Sequence, residues 1–386
     1  MATLSVVTAL LTIVFIQRVL RNLLIALITG ILILAFFHPD VFREIHKVLI
    51  KTGLSPSYQK LMVAVFLIYL LTSLMESSGD SGKFSEGAKK LFGSKETATS
   101  LTPMLVGLMP MPGGALFTAP MVKSMDENGD PLILTAKNYW FRHTIEFFWP
   151  IYPAIILTSE LSKIGVSEIS LKLLPVFLVS VLSGWFFFNG LSLPRFSKVS
   201  DLKTFLPILP ILSTGVLILV FKLEGWFALL INVLIYSIFR SKYFLRSVLN
   251  VLKRWQTFMI LTFVYIFKVI LETYNIGDDV ASEIIAWGIP IWVLVVFLPL
   301  VAGMSTGITQ GAVGISLPVI LGITGKAFVY HTYIFAVAGV LLSPVHLCVI
   351  LTSDFFNVDV FSVLKKILIP LTLTVAFSVI WFFMIT

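Results

Sequence analysis

Leu300-Val-Ala-Gly-Met-Ser-Thr-Gly-Ile-Thr-Gln-Gly-Ala-Val-Gly-Ile-Ser-Leu-Pro318 decides how this chain is read. It is apolar at both ends and polar and glycine-rich in the middle, so it does not read as one uninterrupted helix. Glycine permits turns and proline removes a backbone donor. A second stretch of the same character is Leu105-Val-Gly-Leu-Met-Pro-Met-Pro-Gly-Gly-Ala-Leu-Phe-Thr-Ala-Pro120. Each predicts a re-entrant hairpin, over 98–122 and 286–322, made of an apolar arm, a non-helical tip and a second arm. Non-helical backbone at membrane depth survives only where protein or a water-filled cavity satisfies it. The two tips are therefore candidate site-forming elements.

The rest of the chain supplies the membrane context. Of 386 residues, 58% are hydrophobic and 12% charged, and the mean hydropathy is +0.98. A soluble domain carries about 25% charged residues, so lipid is the solvent for most of this surface. Apolar runs near the length of a bilayer span fall at 2–17, 22–37, 60–75, 138–158, 170–190, 205–222, 224–239, 255–271, 327–349 and 367–386. The first lacks a preceding basic stretch and a small-residue cleavage site, so it reads as a retained helix rather than a signal peptide. The fold class expected is an all-α polytopic membrane protein of about ten transmembrane helices plus the two hairpins. One cysteine, Cys348, excludes an intrachain disulfide framework. The net charge of +8 sits between apolar runs, which fits membrane anchoring better than nucleic acid.

Loop charge sets orientation. Residues 240–254 hold Arg240, Lys242, Arg246, Lys253 and Arg254 and no acid, whereas 272–284 hold Glu272, Asp278, Asp279 and Glu283 and no base. The positive-inside bias places the first in the cytoplasm and the second outside. Carried along the chain, it brings the hairpins in from opposite faces and leaves both termini external. The loop 38–59 disagrees, with Arg43, Lys47 and Lys51. Its apolar set Val41, Ile45, Val48 and Leu49 reads as an amphipathic interfacial helix, with 240–253 as a counterpart.

A short pattern occurs twice: proline, five residues, then Ile-Leu-Thr-Ser and an acid, from Pro150 to Glu160 and from Pro344 to Asp354. Each copy follows an interrupted hairpin by about one helix. The chain then divides into repeats 1–200 and 201–386, each with three helices, a hairpin and two helices. Five crossings per repeat invert the second against the first, an arrangement that goes with midplane binding sites in secondary transporters.

With Pro110-Met-Pro-Gly-Gly114 in the first hairpin and Ser305-Thr-Gly-Ile-Thr-Gln-Gly311 in the second, the chain resembles the ion transporter superfamily, which includes gluconate permeases, dicarboxylate/sodium symporters and arsenite permease relatives. A prokaryotic branch near the gluconate permeases is the nearest in character. The resemblance implies that substrate and coupling ion lie between the two tips and two broken helices, with breaks near Pro150 to Pro153, including Tyr152, and at Ser343-Pro344. It also implies a homodimer. The Ser-Asn-Thr signatures of the dicarboxylate branch are absent.

Candidate binding residues follow from these segments. Ser305, Thr306, Gly307, Thr309 and Gln310 offer hydroxyl, amide and backbone groups, and Ser305, Thr306 and Thr309 suit Na⁺. Pro112, Gly113 and Gly114 offer bare backbone. Arg142 is a fork for a carboxylate, His143 a titratable relay, and Glu146 stands one turn from Arg142. His346 follows the break at Pro344. Lys268 pairs in sequence with Glu272, and His331 reads as a packing histidine. Thr158, Ser159, Thr352 and Ser353 are spaced to bond back to their own helices.

The expected function is alternating-access transport of a small anionic, carboxylate-type solute, coupled to H⁺ or Na⁺, in the cell membrane. Nucleotide-binding motifs are absent. A channel would need a continuous polar stripe or a ring of like charges, and the sequence shows isolated clusters. An intramembrane aspartyl protease would need a partner for Asn275-Ile-Gly-Asp-Asp279 on a facing helix, and none is present. Beyond H⁺ or Na⁺, no cofactor is expected.

Overall fold

A computed structural model of the chain describes residues 2–110, 114–197 and 206–385. Among the described residues the fold is helical throughout, with one isolated antiparallel bridge between Phe92 and Phe196. The first run of elements is α1 (Ala2–Leu20), α2 (Leu23–Phe37), α3 (Pro39–Arg43), α4 (Ile45–Leu54), α5 (Pro56–Ser77), α6 (Asp80–Lys90), α7 (Lys95–Gly107) and α8 (Ala115–Met125). It continues with α9 (Pro131–Thr144), a 3-10 turn (Ile145–Phe147), α10 (Pro153–Ser162) and α11 (Val166–Asn189).

The second run is α12 (Leu209–Leu219), α13 (Gly225–Phe239), α14 (Ser241–Leu252), α15 (Trp255–Thr273), α16 (Ile276–Ala286), α17 (Ile291–Thr306) and α18 (Thr309–Thr324). It ends with α19 (Val329–Leu341), α20 (Leu347–Phe356) and α21 (Val360–Ile385). The order is the same in both: two apolar helices, short amphipathic helices, a third apolar helix, a short helix, a helical pair, a helix broken in two, and a long final helix. The expected boundary at 200/201 lies outside the described residues.

Among the described residues five helices, α1, α5, α11, α15 and α21, are long and apolar enough to cross a membrane on their own. On their outward faces large apolar side chains are exposed, among them Leu11, Phe15, Phe186, Ile380 and Phe383, as a lipid solvent requires. The central helices differ. Every residue of α9 from Leu134 to Thr144, and all of α19, is buried. A helix buried around its whole circumference lies inside the bundle.

Local chemistry sets the breaks. Asp130 caps α9 by accepting from the Leu132 amide at 2.8 Å, with Pro131 in the first turn. The chain leaves helical form after Phe147 and resumes at Pro153, whose ring suits a first turn. Pro150 and Pro153 supply no amide proton, so a continuous ladder cannot form across this segment. Ser343-Pro344 interrupts the second half in the same way, between α19 and α20.

The two helical pairs replace the through-going helices that 98–122 and 286–322 would otherwise be. α17 ends at Gly307, whose φ of 62° lets the chain turn in two residues before α18. On its other side α17 crosses α19 at Gly303 and Gly339. A Cβ on Gly303 would lie 2.6 Å from the Ala336 carbonyl oxygen, and one on Gly339 would overlap that of Leu300. The first half repeats this contact, since a Cβ on Gly107 of α7 would lie 2.5 Å from the Arg142 carbonyl of α9. Pro103 and Pro299 each stand one turn before these glycines.

Two polar ties join the halves at their ends. Glu283 caps α1 by accepting from the Ala2 and Thr3 amides at 3.0 and 2.9 Å. Asp80, buried at the start of α6, accepts from Tyr236 at 2.6 Å and from Arg240 at 2.7 and 2.8 Å. Burial alone would push the Asp80 carboxyl up, but the bonds from Tyr236 and Arg240, with the Arg240 and Lys83 charges, hold it below the usual range.

Candidate functional site

Pro110, which follows α7 in the first helical pair, the tip of the second pair and both broken helices meet at one cavity of about 350 Å³. From the first half its wall takes Pro110, Arg142, His143, Glu146, Tyr152, Pro153 and Ala154, with Leu23 and Tyr69 behind them. The second half gives Gly307 to Gly311, His346, Leu347 and Cys348, with Thr257, Ile260 and Leu261 of α15. The first turns of α10, α18 and α20 are all in this wall. Helix N-termini present free amides and a partial positive charge, so three of them converge on one space.

Arg142 is 4% exposed. Its guanidinium lies against Gly114, where a Cβ would overlap the guanidinium nitrogens. This places Arg142 in the cavity wall rather than among lipid headgroups. Glu146 accepts from the Thr309 hydroxyl at 2.7 Å, which ties the first break to the tip of the second pair. Its carboxylate also stands 3.9 Å from His143 Nε2. The Tyr333 hydroxyl donates to the Glu146 carbonyl at 2.6 Å and that of Tyr152 to the Gly107 carbonyl at 2.6 Å, so a carbonyl at the first break and one at the end of α7 are satisfied.

Arg142, His143, Glu146, Tyr152, Gly307, Thr309, Gln310 and His346 therefore share one wall, with Gly114 behind Arg142. Pro112 and Gly113 lie outside the described residues. Four expected residues stand apart from the cavity: Pro150, Ser305, Thr306 and Ser343. The Thr306 hydroxyl donates to the Ala302 carbonyl at 2.8 Å, so it caps its own helix. Ser343 donates to the Met304 carbonyl at 2.7 Å and fastens the second break to α17. Only Thr309 of the set proposed for Na⁺ reaches the wall.

Other polar points are structural. Thr158 and Thr352 bond back to the Ala154 and Cys348 carbonyls, both at 2.8 Å, and Ser159 bonds to the Ile164 carbonyl at 2.6 Å. Lys268 pairs with Glu272 at 3.3 Å. His331 is packed among Trp292, Phe328, Phe382 and Phe383, away from the cavity.

The sequence reading missed Cys348 as a site residue, although it stands two residues after His346, and missed Tyr69 and the cavity-lining Thr257, Ile260 and Leu261 of α15. Ligand atoms of His143, His346 and Cys348 lie within 4.8 Å of one another. The two Nε2 atoms are 2.9 Å apart, the span of a hydrogen bond. Two nitrogens on one tetrahedral zinc stand about 3.3 Å apart, so the spacing is closer to a hydrogen bond than to shared coordination.

Comparisons with known proteins agree with this fold. The crystal structure of the Alcanivorax borkumensis YdaH transporter, described as having an unusual topology, is similar to this chain with a TM-score of 0.66 at 14% sequence identity, over 90% of this chain and 89% of that one. No curated protein matches the sequence. A family model, described as Protein of unknown function (DUF401), matches residues 3–385, and the chain belongs to that family.

Proposed function

We propose that this protein is a secondary active transporter for a small anionic, carboxylate-type solute, working by alternating access with H⁺ or Na⁺ as coupling ion. One observation carries the reading: three helix N-termini and the buried Arg142 face a single cavity built by both halves. Amides at helix ends and a guanidinium fork favour an anion. A volume of about 350 Å³ suits a small organic acid better than a polymer. The fold shared with a transporter supports the same direction.

Two repeats of inverted topology, related as in the ion transporter superfamily, account for the doubled element order and the paired Pro103/Gly107 and Pro299/Gly303 steps. In this arrangement the basic loop after α13 faces the cytoplasm, both termini lie outside, and the cell membrane is the site of action. A rocking of one half against the other would open the cavity to each side in turn.

The test is a thermal-shift screen of purified protein against organic anions, with sodium and pH varied. At least one small carboxylate is expected to raise the melting temperature, and Arg142→Ala is expected to weaken its apparent affinity roughly tenfold to a hundredfold. That range follows from the loss of a charged hydrogen bond of about 1.5–3 kcal/mol. Counterflow of the hit in liposomes separates a carrier from a channel. A hit indifferent to Arg142→Ala would move the site elsewhere.

A further inference from the structure

His143 comes from α9 of the first half and His346 from the break that opens α20 of the second. Their Nε2 atoms face each other at 2.9 Å. Behind them, His143 Nδ1 is 2.6 Å from the Tyr139 carbonyl oxygen and His346 Nδ1 is 2.7 Å from that of Gly307. A carbonyl oxygen only accepts, so each Nδ1 must carry a proton. In a neutral imidazole the other nitrogen is then bare. Two bare Nε2 atoms at this distance would set lone pair against lone pair. The contact becomes attractive only when one further proton lies between them, on one nitrogen and accepted by the other.

We propose that His143 and His346 share this proton, and that the pair is the protein's proton-coupling site. The coupling role rests on the transport reading above; the shared proton stands on the geometry alone. Loading adds one proton to two facing nitrogens and clamps the first half to the second across the cavity. Release restores the opposed lone pairs and pushes the clamp apart. The pair is therefore a two-state element placed between the parts that must move.

The surroundings fit a positive charge held at this point. Glu146, 3.9 Å from His143 Nε2, is the carboxylate that faces it, and Thr309 fixes Glu146 from the tip of the second helical pair. Arg142 from α9 faces the same space and opposes a second cation there. Tyr139 packs its ring 4.8 Å from His143 and 5.7 Å from His346. Its hydroxyl is engaged with the Leu341 carbonyl, and those of Tyr152 and Tyr333 are engaged with the Gly107 and Glu146 carbonyls. Cys348 from α20 and Tyr69 from α5 complete the ionisable groups of the wall. A proton on the pair and an anion in the cavity attract, so each raises the affinity for the other, the binding cooperativity that symport uses.

The experiment uses the full chain in detergent, labelled with ¹⁵N on its five histidines. Two Nε2 resonances joined by a scalar coupling through the hydrogen bond are expected. His143→Gln and His346→Gln should each abolish that coupling. If a variant does not fold, through-bond assignment of the two rings in the unmodified chain gives the same readout. Uncoupled, bare Nε2 resonances at both rings would overturn the proposal, as would one metal ion per chain by elemental analysis. A chain stabilised by an organic anion but lacking the coupled pair loses the proton site and keeps the transport reading. A coupled pair in a chain that no organic anion stabilises keeps the proton site and removes the anion reading.

Discussion

Gly339→Leu is expected to cost about 3 kcal/mol of stability, read as a lowered thermal midpoint of the purified protein. The cause is backbone against backbone. A Cβ at Gly339 would overlap the Leu300 carbonyl oxygen and lie 2.9 Å from its carbon, and a Cβ on the facing Gly303 would lie 2.7 Å from Val340 N. No rotamer relieves such a clash, so α17 and α19 must part. Their separation would shift Gly307, where a Cβ would lie 3.1 Å from the His346 backbone, and so disturb the cavity as well as the fold. Gly53→Ala in α4 is the control, because nothing lies within 4 Å of its Cβ, and alanine in a helix is favoured by about 0.5–1 kcal/mol. A Gly339→Leu protein that melts with the unmodified chain would mean the helices do not cross at this contact.

Arg240→Met is expected to destabilise more than Asp80→Asn, although both break the Asp80–Arg240 ion pair. Removing Arg240 leaves a carboxylate that is 1% exposed with Tyr236 and, at 3.5 Å, Lys83 as partners, whereas removing the Asp80 charge leaves a guanidinium whose side chain is 35% exposed. Breaking a fully buried pair from one side costs about 3–5 kcal/mol. Solvent screening at Arg240 reduces this to about 2 kcal/mol for Arg240→Met and about 1 kcal/mol for Asp80→Asn. The pH dependence follows from the depressed Asp80 carboxyl. A lowered folded value stabilises above the unfolded value of about 3.9 and loses that contribution as pH falls through the folded one. The gap between the unmodified chain and Asp80→Asn should be constant from about pH 5 to 8 and close below about pH 4. A gap that opens on the alkaline side would contradict the pairing.

Apolar run lengths were enough to find the five long apolar helices, because lipid imposes the same demand on every outward face. The interruptions between α7 and α8 and between α17 and α18 were legible for a related reason: proline and glycine change backbone possibilities locally, wherever the tertiary structure places them. Side-chain convergence was less so. Arg142, His143 and Glu146 stood out as polar residues in an apolar helix, but nothing in their spacing specified Gly114 or Thr309 as neighbours. Ser305, Thr306 and Ser343 looked equivalent to Thr309 in type. Which hydroxyl faces the cavity and which caps its own helix depends on helix rotation set by the Gly303–Gly339 crossing. Cys348 was passed over because a thiol in an apolar helix gives no sign, until the fold turns it toward His346.

The solitary thiol at Cys348 has a practical consequence. It lies in the cavity wall beside the histidine pair, and no other cysteine competes with it. The native chain thus comes with a single labelling handle at its centre, and no cysteine-free background must be engineered first. Alkylation by an impermeant reagent added to one face of a vesicle, then to the other, would report which entrance is open and how bound solute alters the answer.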